Sequence, residues 1–226
     1  AVTMDTRPRS GFGVLGHRHV HGHLAIDDGC GDPHGQDSNW DNGFRFDPSA
    51  AGYSPERTRQ FYETLTERAQ QTPGIKSAAL TSTAPMTFDL GIQTLIPEGY
   101  DFPEGRENVE AFSYTVDHHY FETFGVPMIA GRSFLATARA DSPRVAIVNE
   151  AFAREYLEPN PVGKRVRLGD KNGPVVEIVG VTVTGKTMFL IEPPVQVVYL
   201  PLTQNPLTRM TLIAETHGDP AAMVPT

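Results

Sequence analysis

Val175-Val176-Glu177-Ile178-Val179-Gly180-Val181-Thr182-Val183-Thr184-Gly185-Lys186-Thr187 is the stretch on which the fold turns. From Gly180 onward it matches G-x-x-x-x-G-K-[ST], the loop with which many nucleotide-hydrolysing enzymes cradle phosphates. Such a loop curls its backbone amides around an anion and then opens into a helix whose amino end faces the phosphate. Val181, Thr182, Val183 and Thr184 are all β-branched; they resist that curling and prolong the extended run from Val175 to Val179. Pro193-Pro194 arrives soon after Lys186 and leaves little room for the helix. A magnesium-holding acid at the end of an apolar strand is missing too, because Val145-Ala146-Ile147-Val148 runs into Asn149. The stretch predicts a β-strand over Val175 to Thr184 with a turn at Lys186, and no nucleotide.

Composition narrows the field around that strand. The chain has 226 residues, 39% hydrophobic and 20% charged, enough for one globular domain or two small ones. With 19 Lys plus Arg against 27 Asp plus Glu the formal net charge is −8, and no basic run stands out, so nucleic acid is excluded as a partner. Cys30 is the only cysteine, which rules out an intramolecular disulfide and leaves redox catalysis without a second thiol. No run approaches the ~20 apolar residues of a bilayer-spanning helix, and the first residues lack a basic-then-apolar signal pattern; the chain as written reads as soluble.

Residues 1–43 are rich in Gly, His and Asp, hold neither the helical nor the strand period, and read as an irregular segment. From Phe44 onward apolar runs alternate with turn signals, predicting a mixed α+β domain. A helix starts at Ser54-Pro55-Glu56, where a hydroxyl cap, a proline at the first position and an early acid suit the exposed amides. Its expected apolar face is Phe61, Leu65 and Ala69; Pro73-Gly74 stops it, and a strand follows from Ile75 to Thr83. Asp117 is expected to cap a short helix through Phe124 that ends at Gly125, and Asn149 to cap another from Glu150 to Leu157. Further strands are predicted at Glu110 to Val116, Arg144 to Val148, Lys164 to Leu168, Gln196 to Leu200 and Met210 to Glu215.

Chemistry-bearing patterns are few. Gly11-Phe12-Gly13-Val14-Leu15-Gly16 fits G-x-G-x-x-G but has no strand before it or helix after it, so it reads as part of the irregular segment. His17, His19, His21 and His23 alternate, and an extended backbone would set all four imidazoles on one side. With Asp27, Asp28, Cys30 and His34 close behind, they form the candidate site for Zn²⁺ or another divalent metal, Ni²⁺ or Cu²⁺. A small metal-dependent hydrolase built on that cluster is the alternative function. Asp117-His118-His119 could supply a base, although at a helix start Asp117 serves as a cap. No G-x-S-x-G, S-x-x-K or H-E-x-x-H occurs, and no catalytic residue is assigned.

A set of stretches in order carries a family resemblance. They are Tyr53-Ser54-Pro55-Glu56-Arg57, Pro73-Gly74-Ile75-Lys76-Ser77-Ala78-Ala79-Leu80, Tyr120-Phe121-Glu122-Thr123-Phe124-Gly125-Val126-Pro127 and Ala130-Gly131-Arg132-Ser133-Phe134. Then come Val145 to Ala153, Asn160-Pro161-Val162-Gly163-Lys164-Arg165, Ile178-Val179-Gly180-Val181 and Val198-Tyr199-Leu200-Pro201-Leu202. On these, residues 44–226 resemble the MacB-like periplasmic core domain of ABC-type permeases, of the duplicated orphan permease type. The resemblance implies an α+β fold with mixed and antiparallel sheets: a βαβ-type subdomain (44–90 and 205–226) interrupted by an inserted strand-rich subdomain (91–204). It implies a non-catalytic domain at the periplasmic face of the membrane, coupling transporter cycling to periplasmic partners or cargo. The partners implied are the rest of the permease, its separate nucleotide-binding domain and a periplasmic protein or cargo; no cofactor is implied. In the family a further helix and strand follow Asp219-Pro220-Ala221-Ala222-Met223, so the chain reads as C-terminally truncated and its sheet as open-edged, which predicts a homodimer through that edge.

Overall fold

The computed structural model describes residues 12–13, 44–84, 91–185 and 193–217. In chain order they form β1 (Phe12–Gly13), β2 (Phe44–Phe46), a 3₁₀ turn (Pro48–Ala51), α1 (Pro55–Gln71), β3 (Ile75–Thr81), β4 (Gly91–Pro97), β5 (Val109–Val116) and α2 (Tyr120–Thr123). There follow β6 (Met128–Gly131), β7 (Val145–Asn149), α3 (Glu150–Tyr156), β8 (Arg165–Leu168), β9 (Val175–Thr182), β10 (Val197–Pro201) and β11 (Met210–Thr216). The fold is α+β and dominated by strands.

α1 begins as its sequence dictates. The Ser54 hydroxyl accepts from Arg57 N at 3.3 Å, and Pro55 occupies the first helical position, where a missing N–H costs nothing. Its buried line is Thr58, Tyr62, Thr66 and Ala69, with Phe61 and Leu65 at the margin of the same core, so the apolar face is rotated from the expected one toward Tyr62. The reason lies at the phenol: Tyr62 OH donates to Phe46 O and lies 2.8 Å from Thr208 O as well as from Phe46 O, so its polar tip is satisfied and the ring can go deep. Gly74, at φ 93°, makes the left-handed turn from helix to β3.

β11 lies between β3 on one side and β2 with β1 on the other, antiparallel to all three. β2 and β3 are therefore parallel, with α1 crossing between them, a βαβ unit split by β11. Phe46 pairs with Met210 and Phe12 with Glu215, so the outer edge of β11 is flanked by two short strands, one of them drawn from the segment read as irregular. Ala78, Leu80, Leu212 and Ala214 point at α1 and close this core.

The second body is a barrel. β5 pairs with β10, β10 with β7, β7 with β9, β9 with β8, β8 with β4, and β4 returns to β5. Side chains that alternate inward fill it: Leu95, Val109, Ala111, Ala146, Val148, Val166, Val176, Ile178, Val198 and Leu200, with Phe152 and Leu157 following from α3. A barrel of roughly eight strands already leaves only enough room for side chains, so this narrower one is solid. Strands β7 and β10 are buried on both faces, which is why their sequences are continuous apolar runs rather than alternating ones.

The opening stretch is β9, extended and central as predicted, ending at Thr182 rather than Thr184. Ala146 lies opposite Ile178 but Ile147 opposite Gly180, so Val179 is an extra residue. That bulge resets the inward–outward alternation and lets Val181 rejoin the barrel interior with Ile178, while Val179 packs outside. β4 and β6 were not anticipated from the sequence.

Candidate functional site

β5 is where the two bodies meet, and it belongs to both. One of its edges carries β10 along Phe112 to Val116. The other edge forks: Val109 to Ser113 pair with β4, and Val116 pairs with Thr81 of β3. That single register pair is extended by one residue in each direction. Ser82 N donates to Thr115 O at 2.8 Å and Thr115 N donates to Ser82 Oγ at 3.0 Å. Asp117 N donates to Leu80 O at 3.0 Å and Leu80 N donates to Asp117 Oδ2 at 3.0 Å. Thr81 and Thr83 close the corner, the Thr81 hydroxyl donating to Thr83 O at 2.8 Å; both are buried.

Asp117 serves a wider role than the expected cap. Its Oδ1 accepts from His119 N at 3.1 Å and shapes the turn into α2, whose own first cap residue, His119, makes no side-chain cap bond. Its Oδ2 reaches across to β3. Burial pushes the carboxyl up from 3.8 to about 7, against the downward pull of the Leu80, His119 and Tyr120 backbone N–H groups. The His118 and His119 rings lie 3.8 Å apart, centroid to centroid, at a tilt of 41°, and burial lowers both imidazoles below their ordinary value, the neighbouring His119 adding to the effect at His118.

α2 is a wedge between the bodies. Tyr120 and Phe121 share one core with Ala79 of β3 and Ile213 of β11 on one side, and with Tyr114, Ile147 and Tyr199 of the barrel on the other. Tyr199 sits at 5.0 Å from Phe121 and 5.8 Å from Tyr120, ring to ring. Burial pushes the Tyr199 phenol up to about 12 and raises the Tyr120 phenol well above its ordinary value, so both stay neutral and act as packing groups. The return connection is tied in as well: Leu202 N donates to Val116 O at 2.8 Å, and buried Gln204 accepts from Val145 N at 3.0 Å while donating to Pro143 O at 3.0 Å.

The glycine that opens the phosphate-loop pattern has a packing reason. A Cβ on Gly180 would lie 2.4 Å from Arg132 O, and one on Gly131 2.2 Å from Val179 O, so β6 can lie against β9 only with both side chains missing. Gly131 also takes φ 71°. Past β9, the Thr184 hydroxyl accepts from Ala151 N at 2.9 Å, helping Asn149 to cap α3. The Asn149 side chain accepts from Phe152 N and Val197 N, each at 3.1 Å, and donates to Val195 O at 2.7 Å.

Lys186 and Thr187, the histidines His17, His19, His21 and His23, and Asp27, Asp28, Cys30 and His34 lie outside the described residues. Among the described residues no three of His, Cys, Asp or Glu gather in a metal-holding group. Sequence reasoning singled out Asp117 but missed Ser82, Leu80 and Tyr199; a lone serine after a β-strand carries no signal of the strand it will meet.

Residues 33–224 match the MacB-like periplasmic core domain. The chain belongs to that family, and it is an extracytoplasmic domain of an ABC-type permease. Among solved structures it is similar to the periplasmic region of MacB from Actinobacillus actinomycetemcomitans, at 19% identity and a TM-score of 0.48 over 70% of this chain and 65% of that one. It is also similar to the extracellular domain of the noncanonic ABC-type transporter YknZ from Gram-positive bacteria, at 17% identity and a TM-score of 0.48 over 70% of this chain and 74% of that one. The chain thus spans less than two thirds of the MacB periplasmic region. No curated protein matches it.

Proposed function

We propose that this domain couples the conformational cycle of its permease to a periplasmic partner or cargo, and that it does so as a transmitting body without chemistry of its own. The observation that supports this is the shared strand: β5 is at once a stave of the barrel and a neighbour of β3 in the split βαβ unit. The end of β11 at Thr216 lies at the opposite end of the βαβ unit from the Thr81–Val116 contact with the barrel. A displacement applied at that far end runs along β11 and β3 into β5, and so into the barrel. ATP is hydrolysed in this reading by the separate nucleotide-binding domain, and the rest of the permease is the partner that drives the motion.

The test uses the complete permease in lipid, with spin labels on Glu63→Cys of α1 and Glu107→Cys beside the barrel, both strongly exposed. The distance between these two labels should stay constant between nucleotide-free and ATP-bound states, while the distance from each to a label on a membrane segment changes. No change relative to the membrane in any nucleotide state would overturn the proposal.

A further inference from the structure

We propose that Ser82 and Asp117 are paired pins that fix the angle between the barrel and the βαβ unit, so that loss of either turns a rigid joint into a hinge. In a regular antiparallel ladder, two strands exchange N–H and C=O bonds reciprocally. Here, on both sides of the Thr81–Val116 pair, one half of the exchange is backbone and the other half is not. Ser82 N reaches Thr115 O, but Thr115 N is met by the Ser82 hydroxyl; Asp117 N reaches Leu80 O, but Leu80 N is met by the Asp117 carboxylate.

A side-chain oxygen extends farther from the strand axis than a carbonyl, so these substitutions let β3 and β5 diverge while the amides of Leu80, Ser82, Thr115 and Asp117 all stay bonded. Divergence is what the architecture needs, because β4 takes over the same edge of β5 at Ser113, where a Cβ on Gly91 would already lie 3.1 Å from Ser113 O. Leu80 and Thr115 are nearly inaccessible to water, so their amides have no substitute acceptor once a pin is removed. Asp117 adds a second hold through His119 N, which ties the α2 wedge to the same carboxylate.

The inference deepens the coupling reading and rests on it for its importance, but it is tested on the chain alone. Native-state amide exchange and the Glu63→Cys to Glu107→Cys label distance are measured in the unsubstituted chain and in Ser82→Ala, Asp117→Asn and Asp117→Ala. Exchange at Thr115 should rise in Ser82→Ala, and at Leu80 in Asp117→Ala, by about tenfold or more, the loss of one such bond. Exchange at Ile147 and Leu212, inside each body, should hold steady, and the distance distribution should broaden. Asp117→Asn retains one acceptor oxygen and should fall between. If Asp117→Ala fails to fold, Ser82→Ala and Asp117→Asn decide the matter. Distributions as narrow as in the unsubstituted chain would overturn the pins. A joint that loosens here, in a permease that shows no displacement with ATP, would keep the pins and remove the coupling role.

Discussion

Asp117 shows how much a single side chain can carry and how little of it a sequence displays. A carboxylate before a short aromatic run signals a helix start, and it does receive His119 N; the Leu80 bond, 37 residues away, has no local signature. Its titration has a definite sign. The folded value of about 7 lies above the ordinary 3.8, so the folded state holds the proton more tightly. The associated stability is therefore complete below about pH 4, falls as pH rises to about 7, and is flat beyond. His118 and His119 act in the opposite sense, since their lowered values cost stability as pH drops below 6.5. Urea midpoints between those limits should decline with rising pH in the unsubstituted chain, and in Asp117→Asn, where the two histidines remain, the decline should give way to a rise. A variant that keeps the same slope would show that another group titrates.

At the level of elements, the legible ones are those whose period or caps are local. α1, α3, β7 and β9 follow from Ser54-Pro55, Asn149 and runs of β-branched residues, and each lies within two residues of its predicted bounds. β4 and β6 were illegible for a physical reason. Each carries an outward-facing isoleucine, Ile92 at 63% and Ile129 at 50% exposure, and each is bounded by proline or glycine, so neither alternation nor composition marks a strand. α3 permits a sharper check. Asn149 is a cap, a brace for Val197 and a donor to Val195 at once, and is almost fully buried. Asn149→Ala should destabilise the chain by about 2–4 kcal/mol in denaturant unfolding, more than an exposed cap, because buried partners are left unmatched. A loss under about 0.5 kcal/mol would mean that water replaces the side chain.

For the whole molecule, α+β character and extracytoplasmic membership of a permease follow from ordered motifs, but ring closure does not. It depends on β4 meeting both β8 and β5, pairings that no short window contains. Because β5 is common to both bodies, neither can lose its sheet without disturbing the other. Far-ultraviolet and near-ultraviolet circular dichroism, the latter reporting Tyr114, Tyr120 and Tyr199, should therefore give superimposable thermal transitions. Separated midpoints would mean that barrel and βαβ unit melt independently.

The stuffed interior of the barrel has a mechanical consequence. A tube packed with branched aliphatic chains at crystal-like density scarcely compresses. Pressure on one rim then re-emerges at the other with little lost to deformation, and the filled interior leaves no lumen along the barrel axis.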